Sequence, residues 1–113
     1  MADVFCEIIN GKIPTKFVYE DEQLVVFPDI NPEAPVHLLI VPRQHTASVA
    51  ELTENDAALA GHMLLVAKKM AEQFKVAGSG YRLVINHGLD GGQGVAHLHM
   101  HLIGGRKLSR NLS

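Results

Sequence analysis

His97, His99 and His101 stand at alternate positions, separated by Leu98 and Met100 and followed by Leu102 and Ile103. In an extended strand successive side chains point to opposite faces. The spacing therefore predicts three imidazoles on one face, with Leu98, Met100 and Leu102 turned into a core on the other. Imidazole is the side chain best suited near neutral pH to serve as nucleophile, proton carrier or metal ligand. Just upstream lies Gly91-Gly92-Gln93-Gly94. Backbone N–H groups in such a loop can approach and cradle a phosphate, because no side chains block the way. A nucleophile and an anion cradle only a few residues apart is the arrangement expected where a histidine attacks phosphorus.

A metal centre is the second reading. Neighbours on one face of a strand are roughly 6.6 Å apart, whereas zinc–nitrogen bonds are about 2.1 Å. Three histidines in a row cannot all meet one ion without distorting the strand. Two could, with a ligand from elsewhere, and the alternative is then a zinc-dependent hydrolase. A merely polar sheet face accounts least well for three histidines beside a glycine loop.

The chain has 113 residues, 47% of them hydrophobic, with no Trp and a net charge of −2. That is enough apolar material for one core built from aliphatic side chains, and a single domain over residues 1–113 is expected. No Lys/Arg stripe marks a nucleic-acid groove. Cys6 is the only cysteine. It permits no disulfide within the chain, offers no basis for a cysteine-built zinc site, and reads as a small packed side chain. The opening Met-Ala-Asp-Val is not followed by a basic stretch and long apolar run, and no segment nears the roughly 18 apolar residues of a membrane span. The expectation is a cytoplasmic protein with no membrane or nucleic-acid partner.

The elements that must position the histidines follow from patterning. Apolar spacing predicts a short helix over residues 4–9, ended by Asn10-Gly11. Strands are expected over 17–19 and 24–27, joined by a polar turn, then a proline-rich loop over 29–35 and a buried strand over 36–41. Thr53 has the form of an N-cap for one long helix. Leu59, Met63, Val66, Met70 and Phe74 form its apolar stripe, and Gly78 is its expected stop. Strands over 81–86 and 95–103 complete an α+β fold, a five-stranded antiparallel sheet with one long and one short helix. His45, His62 and His87 read as surface or helix residues.

His97-Leu98-His99-Met100-His101-Leu102-Ile103 is the histidine-triad motif, and around it the chain resembles histidine-triad nucleotide-binding proteins of the Hint branch. The resemblance runs over almost the whole chain. It takes in Phe5 with Ile8-Ile9, Lys12-Ile13-Pro14, Phe27, Asp29-Ile30, Pro32-Glu33-Ala34-Pro35 with His37, and Pro42. It continues through Tyr81-Arg82, Asn86, Asp90-Gly91-Gly92-Gln93 and Gly104-Gly105-Arg106.

It implies a HIT-like fold, a homodimer with one sheet running across both subunits, no cofactor and no metal. The implied activity is hydrolysis of purine nucleoside 5′-phosphoramidates through a nucleotidyl-histidine intermediate. By the same resemblance His99 is the nucleophile, His101 holds a non-bridging phosphate oxygen, and His97 orients His99 with His37 joining the relay. Asn86, Gln93 and the backbone of Gly92, Gly94 and Val95 hold the phosphate and leaving group. Asp29 takes the ribose hydroxyls, and Phe5, Ile8, Phe27 and Ile30 wall the base. Gly94 stands where many relatives carry Ser, and Ala96 where Tyr is common. These departures, with the short polar tail over residues 107–113, leave a nucleotide-binding or interaction module with weak catalysis as the other alternative.

Overall fold

The structure is a computed structural model that describes residues 3–111. Helix α1 (Val4–Ile9) is capped by Asp3, whose side chain accepts the Cys6 backbone N–H at 2.7 Å. It ends at Asn10, and Gly11 follows at φ +78°, a conformation glycine adopts without strain. Five strands follow in the sequence: β1 (Tyr19–Glu20), β2 (Leu24–Pro28), β3 (Val36–Pro42), β4 (Tyr81–Val84) and β5 (Met100–Gly104). They form one antiparallel sheet in the order β1-β2-β3-β5-β4. Between β3 and β4 lies helix α2 (Ala57–Gln73). No helix among the described residues is long and apolar enough to cross a membrane.

The sheet buries both faces, which is why β2 and β3 read as continuous apolar runs rather than alternating ones. One face carries Leu24, Val26, Leu38, Ile40, Leu98, Met100 and Leu102 against Met63, Val66, Ala67, Met70 and Ala71 of α2. The other carries Val25, Phe27, Leu39 and Val41, packed with Phe5 of α1. Because side chains alternate, His37 shares this second face with Leu39, and the register sets Leu39 opposite His101. The histidines thus lie on the face covered by α1, opposite the long helix.

Several boundaries differ from the sequence reading. The first ladder covers Tyr19–Glu20 instead of 17–19, and β4 ends at Val84. Thr53 does cap, in a reciprocal box with Asp56, but the capped turn is a short 3₁₀ turn (Glu54–Asp56) that precedes α2. At its other end α2 stops at Gln73, and Lys75, not Gly78, takes the left-handed conformation with φ 63°.

The largest correction concerns the triad strand, which begins at Met100 and not at residue 95. In the register that sets Ile40 opposite Met100, Pro42 falls opposite Leu98 and has no N–H to offer. Leu98 instead donates its N–H to the Thr46 carbonyl, and His97 lies in a bend. Only His101 of the three belongs to the ladder.

Candidate active site

The three imidazoles differ in every partner. His99 is buried, and its Nδ1 lies 2.6 Å from the carbonyl oxygen of His97. A carbonyl only accepts, so Nδ1 carries the proton and Nε2 keeps its lone pair. The edge of the Phe5–His99 pair, with centroids 5.0 Å apart at 88°, fixes the ring's plane. Burial lowers the pKa of His99, so the ring is neutral at pH 7 and Nε2 is available as a nucleophile.

His101 is set by a chain of donors. The Glu33 backbone N–H donates to His37 Nδ1 at 3.1 Å. His37 is thereby protonated on Nε2, which donates to His101 Nδ1 at 2.9 Å. His101 must then carry its proton on Nε2, as a hydrogen-bond donor away from His37. Burial, followed by the neighbouring His99 and His37, pushes the His101 pKa down to about 4. It therefore acts as a neutral donor at pH 7. The His99 and His101 rings stand 5.1 Å apart between centroids, so a lone pair and a donor are presented side by side.

His97 is fully buried and turns the other way. Its Nε2 donates to the Pro42 carbonyl at 2.8 Å, and its Nδ1 lies 3.1 Å from Asp3 Oδ2 and 3.5 Å from Cys6 Sγ. It touches His99 through its backbone carbonyl. His37 pairs with His101, and so does not join His97 in a relay.

The glycine loop is held by backbone closure and by side-chain amides. A Cβ at Gly91 would sit 2.2 Å from the His87 carbonyl oxygen, so only glycine closes this turn. Asn86 Nδ2 donates to the Gly91 carbonyl at 2.7 Å. Gln93 donates to the carbonyls of Ala47 (2.7 Å) and Val95 (3.0 Å) and accepts the Gly88 N–H at 3.1 Å. Both amides brace the loop, and Gly92 and Gly94 stand exposed on it.

The chain that carries this site is similar to known proteins over nearly its whole length. Residues 2–111 match the family described as "Scavenger mRNA decapping enzyme C-term binding". An uncharacterized HIT-like protein of Buchnera aphidicola subsp. Baizongia pistaciae is 44% identical over 108 residues, 96% of this chain and 96% of that protein. The chain belongs to the histidine-triad (HIT) family. A further HIT-like protein, from Synechococcus elongatus, is 48% identical over 106 residues, 94% of this chain and 92% of its own. The crystal structure of a HIT family hydrolase from Legionella pneumophila Philadelphia 1 superposes with a TM-score of 0.94 at 42% identity. It covers 96% of this chain and 97% of that one.

The remaining residues expected at the site from the sequence are placed unevenly. Phe5, Ile8, Phe27 and Val95 meet in one apolar cluster on the histidine face. Ile30 stands outside it, 89% exposed. Asp29 accepts the Asn31 N–H through Oδ1, and its Oδ2 lies 3.6 Å from His37 Nε2.

The sequence reading missed one group. Asp3, Cys6, His45 and His97 bring four donor atoms within 4.8 Å of one another. Asp3 Oδ2 lies 3.0 Å from His45 Nδ1, and the His45 ring meets the His97 ring edge-on at 5.1 Å. Burial alone would raise the Asp3 pKa, but the Cys6 backbone N–H and His97 outweigh it and hold the carboxyl below its ordinary value. Cys6 and His45 are thus neighbours of the triad, not plain packing and surface residues. The four donors could hold a divalent cation, as could Asp29, His37 and His101, whose donors are also within 4.8 Å. The only sequence hint was Asp3 and Cys6 one turn apart on a short helix.

His62 is likewise more than a surface residue. Its Nε2 pairs with Asp21 Oδ2 at 2.6 Å and ties α2 to the β1–β2 turn.

Proposed function

We propose that the protein hydrolyses purine nucleoside 5′-phosphoramidates to the nucleoside monophosphate and an amine, as a member of the Hint branch. One observation carries the reading. The unprotonated Nε2 of His99 lies beside a His101 whose proton is directed away from His37. Attack needs a neutral nucleophile, and the negative charge on the equatorial phosphate oxygens needs donors already in place.

In the first step the His99 Nε2 lone pair forms a bond to the α-phosphorus while the phosphorus–nitrogen bond to the amine breaks. The amine nitrogen takes up one proton from water as it leaves, and the water that attacks in the second step gives one back. His101 donates to a non-bridging oxygen, and Gly94 and Val95 offer backbone N–H groups to the phosphate; the Gly92 N–H, expected to join them, is instead given to the Leu89 carbonyl at 3.1 Å. Water then attacks the nucleotidyl-His99, releasing the monophosphate and restoring the imidazole. Asp29 takes the ribose hydroxyls, and Phe5, Ile8, Phe27 and Ile30 wall the base.

A homodimer belongs to the same reading. β4 is an outer strand of the sheet, and Leu64, Leu65 and Ile85 stand exposed. Pairing of two such edges would extend the sheet across both subunits and cover that strand. L65E should then sediment as a monomer; a monomeric wild type contradicts the pairing. The single cysteine and the nucleotide substrate support a cytoplasmic setting.

The test is turnover of adenosine 5′-phosphoramidate by wild type and H99A. The expected loss is roughly 10⁴-fold or more, with the fold intact by circular dichroism. Tight AMP binding without turnover by the wild type would favour a binding module, a reading that Gly94 and Ala96 make specific.

A further inference from the structure

After β5 the chain turns sharply at Gly104-Gly105. Gly105 has φ +92°, and a Cβ there would sit 3.0 Å from Pro35 Cβ, so the turn is pressed against the loop over residues 29–35. Beyond it, Arg106 reaches back to that loop. Its Nη2 and Nε donate to the Glu33 carbonyl oxygen at 2.7 and 3.3 Å. The tail is held on its other side by Arg82, which donates to the Ser109 carbonyl.

Glu33 is the residue whose N–H donates to His37 Nδ1. That bond decides which nitrogen of His37 carries the proton, and through it which nitrogen of His101 does. If the Glu33 N–H moved away, His37 could take its proton on Nδ1. Its Nε2 would then accept from His101 Nδ1–H, and His101 Nε2 would present a lone pair toward the phosphate site instead of a proton. Asp29, with Oδ2 at 3.6 Å from His37 Nε2, favours the working tautomer but is too distant for a hydrogen bond.

We propose that Arg106 is a positioning residue: by gripping the Glu33 carbonyl it fixes the His37 tautomer and so makes His101 a phosphate donor. Three hydrogen-bonded steps join the guanidinium to His101, which supplies the fourth to the reacting phosphate, and none of them passes through His99. Arginine suits the task because its rigid fork places two N–H groups on one oxygen while its charge persists at any working pH. The inference rests on the phosphoramidase reading for its consequence, but the tautomer itself is a property of the protein without substrate.

Long-range ¹H–¹⁵N NMR of the imidazoles at pH 7.5 tests it in R106A and R106K, beside steady-state kinetics with adenosine 5′-phosphoramidate. In wild type, His37 Nδ1 and His101 Nδ1 should give the shifts of unprotonated nitrogens. In R106A both should move toward averaged values, and kcat should fall about tenfold, the scale seen when a partner orienting a working histidine is lost. A merely looser loop would free Asp29 and raise KM instead. R106K, with one compact donor group, should recover part of both signals. Wild-type tautomers in folded R106A, or, should R106A not fold, in R106M, which keeps the side chain's length without a donor, would overturn the proposal, as would lost activity with unchanged tautomers. Shifted tautomers alongside a wild type that never turns over the phosphoramidate would keep the Arg106 linkage and remove the proposed reaction.

Discussion

His99 donates its Nδ1–H to the carbonyl oxygen of His97 at 2.6 Å. The alternating spacing of the motif therefore does more than align rings. It places the backbone of the first histidine where it sets the tautomer of the second, leaving Nε2 unprotonated.

The first consequence concerns pH. The His99 pKa is lowered by burial, so the neutral ring persists below the pH at which an ordinary histidine protonates, about 6.5. The acid limb of kcat/KM for adenosine 5′-phosphoramidate should have its midpoint below 6.5, with the rate flat from there to pH 8. A midpoint at 7 or above would contradict a buried neutral nucleophile.

Stability should carry the same sign. In the unfolded chain histidine takes up its proton near pH 6.5, whereas His101 in the folded protein does so at about 4. Between those values the unfolded state binds more protons, so stability present above 6.5 is lost as the pH falls, and this contribution levels off below 4. At about 1.4 kcal/mol per unit, reduced by the solvent a half-buried ring still meets, the loss is on the order of 2 kcal/mol. Urea unfolding at pH 7 and pH 4.5 measures it, and H101N should lose distinctly less than wild type. Equal losses would show that His101 is not the group responsible. Asp3 and Asp21, both held below their ordinary values, act at lower pH and do not share this window.

Gly94 offers a gain of function. A Cβ there would meet nothing within 4 Å, and the residue is not among the glycines with positive φ. G94S should therefore fold as wild type and place a hydroxyl beside the departing amine, raising kcat severalfold. Unchanged kcat would show that the leaving group lies elsewhere.

The sheet and its long helix were legible because period decides them. Of the stripe Leu59, Met63, Val66, Met70 and Phe74, the middle three are buried by α2 with Ala67 and Ala71, and Leu59 and Phe74 pack partly buried against the same core. The alternation of Leu98, Met100 and Leu102 likewise names the face that meets α2. Less legible was the point where pairing stops. The His99 imidazole stays beside His101 although its backbone is outside the ladder, which stops because Pro42 has no N–H and Thr46 captures that of Leu98. Nor does spacing reveal partners far apart in the chain. His37 and His101 meet across two strands, and Asp3, Cys6, His45 and His97 meet only once α1 folds over the sheet. The helix stop was misplaced for a local reason, since Lys75 accepts a left-handed turn that glycine was expected to take.

The donor groups give the metal reading two definite places, one around His97 and one formed by Asp29, His37 and His101. With a histidine nucleophile and backbone donors at the phosphate, dialysis against a strong chelator should leave phosphoramidate turnover within about twofold of the starting value. Loss of turnover on chelation, restored by zinc, would move the chemistry to a metal-dependent hydrolase.

The central claim is a covalent bond between His99 and the nucleotide. Wild type mixed with adenosine 5′-phosphoramidate should be quenched within milliseconds into alkali, where phosphorus–imidazole bonds survive, and digested for mass spectrometry. The account predicts an adenylyl group on the peptide containing His99, localised to that residue and absent in H99A. Full turnover with no adduct on His99, or the adduct on His97 or His101 instead, would contradict it.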